Sequence, residues 1–210
     1  MPKQTFLNLE AEKQERIMRS AINEFQAKGF TNAKVGAIAK QAAIAKGSIY
    51  QYFEDKEEFF KDSVNWAIEY LRLFRNQQTL LNFLDVFEYL LSSGKQRIEL
   101  IRMEPDLSRF LQDVYAGKYF AVIGEAVEEI WWVKDADIRQ MIQTGKNKGS
   151  IRQDIEDDLL LGFFKAVLEK IDQMILDTMD SSGQIDNKQI ESLDLKIRGF
   201  MKMVRTGMGS

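Results

Sequence analysis

The segment Val35-Gly36-Ala37-Ile38-Ala39-Lys40-Gln41-Ala42-Ala43-Ile44-Ala45-Lys46-Gly47-Ser48-Ile49-Tyr50-Gln51-Tyr52-Phe53 reads as two short helices around a tight turn. Val35, Ile38, Ala39 and Ala42 fall at i, i+3, i+4 and i+7, one face of a helix. The pattern breaks at Ala43-Ile44, and Ile49 and Phe53, four apart, form the apolar seam of a second helix. Upstream, Met18, Ile22 and Phe25, widened by Ile17 and Ala21, mark a longer helix that Gly29 should end, because glycine tolerates positive φ. Downstream, Glu54-Asp55 reads as a turn with Asp55 as N-cap, and a long helix starts near Lys56. Two short helices inside a three-helix unit form a helix-turn-helix, whose second helix enters the major groove of DNA.

The polar residues suit that task. Lys46, Ser48 and Gln51 project around Ile49 and Phe53, and Gly47 permits close backbone approach. Lys34, Lys46, Ser48, Tyr50, Tyr52 and Lys56 are the expected phosphate contacts. Gln51, Lys46 and Gly47 are the residues expected at base edges, since glutamine pairs with adenine and lysine with guanine.

Gly29-Phe30, Val35 to Ala42, Lys46 to Phe53 and Lys56-Glu57-Glu58-Phe59, in that order and spacing, resemble the TetR family of transcriptional regulators. The resemblance covers about residues 11–71, with the motif at about 34–53. It implies an all-α chain. Residues 1–56 would form a helix-turn-helix DNA-binding domain, joined through a long shared helix to an effector-binding and dimerisation domain over 57–210. Two departures stand out. Ala33-Lys34 open the first motif helix where the family usually has Thr or Ser. The turn is Ala42-Ala43-Ile44-Ala45 where Ala-Gly-Val-Ser is usual, so Ala45 lacks a capping oxygen, a loss of roughly 1 kcal/mol.

The shared helix carries two apolar stripes, one of Phe60, Val64, Ala67, Leu71 and Phe74, the other of Phe59, Trp66, Tyr70 and Leu73. A helix packed on two sides is expected. Further helices are expected over Thr79–Leu91, stopping at Ser92-Ser93-Gly94, and over Lys95–Met103, closed by Pro105. Asp106–Val133 reads as helical with a break near Ala116-Gly117, and Asp135 to about Lys146 as another helix. Two long helices, 156–179 and 187–205, flank a loop at Ser181-Ser182-Gly183. Each has a broad apolar face, so two chains can build a four-helix bundle, and the resemblance favours that homodimer. Gly149-Ser150-Ile151-Arg152-Gln153-Asp154 is similar to the family's turn before its first dimerisation helix.

Composition narrows the chemistry. The 210 residues hold no Cys and no His. That excludes disulfides, cysteine zinc sites and nucleophilic triads that need an imidazole. Net charge is −3, yet residues 1–56 carry nine basic against six acidic residues and the remainder twenty against twenty-six. The basic front end suits an anionic partner. No secretory leader pattern follows Met1 and no apolar run approaches the ~18 residues of a membrane span, so a cytoplasmic chain is expected.

The body is rich in aromatics, Phe83, Phe110, Trp131, Trp132, Phe163 and Phe164 among them. Such side chains fill cores more often than they line pockets. Trp66, Tyr70, Phe87, Met103 and Tyr119 are the candidate effector contacts, for a small, largely apolar ligand. Glu88, Glu99, Glu104, Asp113 and Glu125 could meet a cation, though a solvated face is the simpler reading. Gly145-Lys146-Asn147-Lys148-Gly149-Ser150 lacks the order of a phosphate loop. Asp135-x-Asp137 and Glu156-Asp157-Asp158 lack a calcium-loop pattern, and helix capping accounts for both. No cofactor or metal is expected. The sequence thus points to a homodimeric repressor released from a palindromic operator by its effector. The alternatives are a constitutive DNA binder with a scaffold body, or an enzyme with a vestigial helix-turn-helix.

Overall fold

The computed structural model describes residues 2–73, 85–124, 135–179 and 185–208. Among them are eleven helices and no strand. Expectations for Phe74, Phe83, Glu125, Trp131, Trp132 and the loop at 181–183 lie outside the described residues. The chain divides into two compact units, Met1–Leu73 with Asp106–Trp132, and Phe74–Pro105 with Val133–Ser210.

The first unit contains α1 (Gln4–Leu7), α2 (Ala11–Asn32), α3 (Val35–Gln41), α4 (Lys46–Tyr52), α5 (Lys56–Leu73), α7 (Pro105–Tyr115, from Asp106 on) and α8 (Phe120–Ile123). α2 buries Ile17, Met18, Ala21, Ile22 and Phe25, the stripe read from the sequence. Gly29 adopts φ +70° and ψ 166° and breaks the helical path as expected, and a separate short turn follows to Asn32. Asp55 caps α5 as expected, its Oδ1 accepting the Glu58 amide at 2.8 Å, while Glu58 Oε2 accepts the Glu54 amide at 2.9 Å. These two bonds satisfy amides that a helix start leaves open. Helix α1 was not foreseen, because four residues are too few to carry a periodic pattern.

The core of this unit is aromatic. Phe25, Phe53, Phe59 and Phe60 have no exposed surface. Phe53 stacks on Phe59 at 4.2 Å, and Phe60 meets Phe25 edge-on at 4.9 Å. Phe60 also packs against Phe110 of α7 at 5.8 Å and against Tyr119 at 4.8 Å. The Tyr119 hydroxyl donates to the Phe25 carbonyl at 3.1 Å. Residues from the middle of the chain thus belong to the same core as the helix-turn-helix. The helix from Asp106 ends at Tyr115, and Gly117, at φ +79°, turns the chain where the break near Ala116-Gly117 is expected.

The second unit contains α6 (Val86–Met103), α9 (Asp135–Asn147), α10 (Asp157–Leu176) and α11 (Asn187–Met208). Where a stop at Ser92-Ser93-Gly94 was expected, α6 runs through without interruption. Ile171 and Ile197 side-chain carbons lie 3.9 Å from where a Gly94 Cβ would stand. Packing on α10 and α11 outweighs the roughly 1 kcal/mol that a helical glycine costs. Pro105 opens α7 at the first helical position, where no amide partner is needed. Phe87, Leu90, Ile98, Ile142, Phe164, Ile171, Leu193 and Ile197 are part of the core. Arg97 pairs with Asp172 at 2.6 Å. Burial pushes the Asp172 carboxyl up to about 6, against the pull of Arg97. Gly145 is the tightest point: a Cβ there would lie 2.6 Å from both Val86 Cγ2 and Ile151 Cδ1.

Two outcomes follow from this packing. Gly145→Ala should lose about 1–3 kcal/mol in urea denaturation, because a branched valine cannot swing clear. The buried Asp62 carboxyl is likewise pushed up to about 6, by desolvation first and by the nearby Glu58. As pH rises from about 4 to 6 the unfolded chain releases this proton while the folded chain keeps it. Asp62 therefore subtracts stability across that window, with the full cost present above it. Asp62→Asn should flatten the fall in stability between pH 4 and pH 8. Superimposable profiles for variant and parent would contradict this.

Candidate nucleic-acid interface

Helices α3 and α4 form the pair anticipated from the sequence, held by Val35, Ile38, Ala39, Ile49 and Phe53, all buried. The turn between them passes through Ala43 at φ +52°, the one non-glycine residue with positive φ among those described. An L-residue with a Cβ costs about 1–2 kcal/mol there. Ala42 closes α3, with its carbonyl accepting from Arg16 Nε at 3.0 Å. Ala45 is the N-cap of α4 and provides no side-chain bond.

The outer face of α4 presents Lys46, Gly47, Tyr50 and Gln51, all exposed, with Ser48 half-buried beside them. Tyr50 keeps 47% of its surface open, unusual for an aromatic ring without a partner to cover it. Lys46 runs its stem past α3, its Cδ 3.7 Å from where a Gly36 Cβ would stand. A Cβ on Gly47 would meet nothing within 4 Å. Tyr52 differs from its neighbours. It is only 8% exposed, and its ring packs against Phe6 at 6.0 Å and Phe53 at 6.5 Å.

The flanking lysines are also held. Lys34 is exposed, and its amide donates to Glu24 Oε1 at 3.0 Å. Lys56 Nζ donates to the Thr31 carbonyl at 3.1 Å and lies 4.8 Å over the Phe30 ring. Lys56 thereby ties the start of α5 to the end of α2.

The effector candidates are dispersed. Trp66, Tyr70 and Tyr119 belong to the first unit, Phe87 and Met103 to the second. Trp66 and Tyr70 pack 4.9 Å apart with the Arg19 guanidinium over both rings, 6.0 and 4.9 Å from their centres. Tyr119 and Phe87 are buried, and Met103 is 61% exposed. Of the acids, Asp113 pairs with Lys118 and Glu99 with Arg102. Asp135 pairs with Lys165, Asp157 with Lys146 and Asp158 with Arg139. No cluster of three or more potential metal-ligating residues occurs among the described residues, and no helix there is long and apolar enough to cross a membrane. Sequence reading missed Lys3, Thr5 and Arg16 as supports of the motif, since contacts so distant along the chain leave no local pattern.

Residues 17–62 match the family model of bacterial regulatory proteins, tetR family. An uncharacterised HTH-type transcriptional regulator of Bacillus subtilis (strain 168), YdgC, is 40% identical over 53 residues, a stretch covering 25% of this chain and 27% of that relative. The fold resembles a TetR family transcriptional regulator from Chloroflexus aurantiacus J-10-FL, with TM-score 0.70 and 24% identity over 100% of this chain and 99% of that one. It also resembles the fatty acid degradation regulator FadR from Bacillus halodurans, with TM-score 0.67 and 19% identity over 93% and 96% of the two chains.

The open space around Gly47 separates two effects in one variant. Gly47→Ala should raise stability by roughly 0.5–1 kcal/mol through helix propensity. If Gly47 lies against a DNA backbone, the same methyl should weaken binding in a fluorescence-anisotropy titration. A more stable variant with undiminished DNA affinity would remove Gly47 from the contact surface.

Proposed function

We propose that this chain, a member of the TetR family of transcriptional regulators, is an intracellular homodimeric repressor that leaves its operator when a small, largely apolar effector binds. The family is one of regulators, not enzymes. The observation that carries the DNA-binding part is the exposed row Lys46, Gly47, Tyr50 and Gln51 on a short helix backed by Ile49 and Phe53. Lys34, Lys46, Ser48, Tyr50 and Lys56 are assigned to phosphates and Gln51, Lys46 and Gly47 to base edges. Tyr52 is the weakest member of the proposed set: its ring is largely spent on the core, leaving its hydroxyl as the part to reach a phosphate.

Exposed apolar side chains support the dimer. Leu159 and Phe163 on α10 are 68% and 38% exposed, and Leu195 and Met203 on α11 are 70% and 66% exposed. A solvated apolar row on each of two long helices is costly for a monomer and is removed by pairing with a second copy. One short helix reads few base pairs, and a two-fold dimer reads two half-sites.

An apolar effector is favoured by the wealth of aromatic side chains and by the likeness to a regulator of fatty acid degradation. Trp66, Tyr70, Phe87, Met103 and Tyr119 remain the proposed contacts. The coupling route runs along α5, whose first turn holds Lys56 and whose next turn holds Phe60. Tyr119 is the second link, since its hydroxyl grips the α2 carbonyl just before the Gly29 kink. A coupling of about 1–3 kcal/mol would change operator affinity some 5–150-fold.

The test begins by selecting binding sites from random duplexes with the purified full chain, followed by anisotropy titration at several salt concentrations. Gln51→Ala should alter sequence preference more than overall affinity, and Lys46→Ala should weaken binding to every duplex. Equal loss on all operator variants would remove Gln51 as a reader. Long-chain fatty acids and their acyl thioesters are the first effectors to add. Operator affinity unchanged by any effector would make the chain a constitutive binder.

A further inference from the structure

The last carbonyls of an α-helix have no amide partner within it. In α4 these belong to the residues that bear the proposed reading side chains, and the N-terminal segment takes them up. Lys3 Nζ donates to the Tyr50 carbonyl at 3.2 Å and, less closely, to that of Phe53 at 3.4 Å. Thr5 Oγ1 donates to the Gln51 carbonyl at 2.6 Å. The Lys3 amide donates to the Tyr52 carbonyl at 2.8 Å. Lys3 also pairs with Glu54 at 3.4 Å. Phe6, 2% exposed, anchors the segment with its ring 5.0 Å from Phe53 and 6.0 Å from Tyr52.

Four successive carbonyls, 50 to 53, are therefore bound by residues 3 and 5. The ammonium of Lys3 lies at the negative end of the helix, where a cation is favoured. At seven residues, α4 is far below the length at which a helix holds itself in water. Its N-terminus has no side-chain cap, because Ala45 has no oxygen to offer. Its outer face is open. The orientation of its C-terminal turn thus depends on the seam formed by Ile49 and Phe53 and on this segment.

We infer that residues 3–6 form a clamp that sets the orientation of α4, and that Lys3 and Thr5 are positioning residues for operator recognition. They act through the carbonyls of Tyr50 and Gln51 rather than by touching DNA. This rests on the DNA-binding reading above. A bidentate contact from Gln51 to a base edge tolerates little displacement, and the bond from Thr5 is made to the backbone of that residue.

The experiment compares the full chain with Thr5→Val, Lys3→Met and the double variant. Each keeps the bulk of the side chain and removes the donor. Circular dichroism and urea denaturation check that the variants fold. Hydrogen exchange of the 46–53 amides reads the clamp without DNA, and anisotropy reads binding to the selected operator and a scrambled duplex across salt. The clamp predicts faster exchange confined to α4. It also predicts operator affinity lowered by about tenfold or more in the double variant, with scrambled-duplex affinity and salt dependence unchanged. Unaltered exchange in α4, or unaltered operator affinity, would overturn it. So would equal losses on both duplexes with a salt slope smaller by about 0.9, the signature of one lost phosphate contact, which would make Lys3 a DNA ligand instead. Failure of the parent chain to bind any duplex would refute the DNA-binding reading separately, and the exchange result would still decide whether the clamp exists.

Discussion

Phe60 is where the first unit is tied together. It has no exposed surface, and its ring meets Phe25 and Phe30 on α2, Phe110 on α7, and Tyr119. Edge-to-face pairs at these separations add about 0.5–1.5 kcal/mol each beyond the area they bury. One turn earlier on the same helix, Lys56 reaches the Thr31 carbonyl and covers Phe30. The helix that carries Phe60 therefore cannot shift without moving both an aromatic core and the end of α2. Such a core transmits displacement because close-packed side chains have few intermediate arrangements.

The second unit is built on other terms. Its core is mostly aliphatic, from four helices, and a half-buried aspartate–arginine pair, Arg97 with Asp172, crosses from α6 to α10 at its edge. The turn after α9 is held by Lys146, which reaches both the Ile155 carbonyl and Asp157 at 2.6 Å. That lysine belongs to the glycine-flanked stretch that superficially resembles a phosphate loop. Its ammonium is occupied in joining α9 to the start of α10.

Much of the first unit was legible in the sequence because its helices are amphipathic and its punctuation is local. The stripe of Met18, Ile22 and Phe25, the Gly29 break, the Asp55 cap and the seam of Ile49 and Phe53 each rest on residues within a turn or two of one another. What was not legible depends on distance along the chain. Gly94 looks like a helix stop until Ile171 and Ile197 are placed beside it. Tyr119 stands out in the sequence as an aromatic of the body, but the bond from its hydroxyl to the Phe25 carbonyl, 94 residues away along the chain, does not. The 61% exposure of Met103 is likewise not something its place on a helix reveals. The outward residues of α4 were recognisable because a polar side chain beside a buried seam has one place to go. The packing of the Tyr52 ring was not legible, because it depends on Phe6, far away along the chain.

Ala43 has a consequence for how this turn can change over generations. Its left-handed backbone is imposed by the helices on either side, since the residue itself disfavours it, and the residue is exposed. The penalty thus falls on the surface. Alanine and glycine codons differ by one base, so lineages can cross between a strained and a relaxed turn in one step without repacking anything. Helix α4 can then drift in sequence while its geometry stays put, and marginal stability becomes adjustable independently of the residues on its outer face.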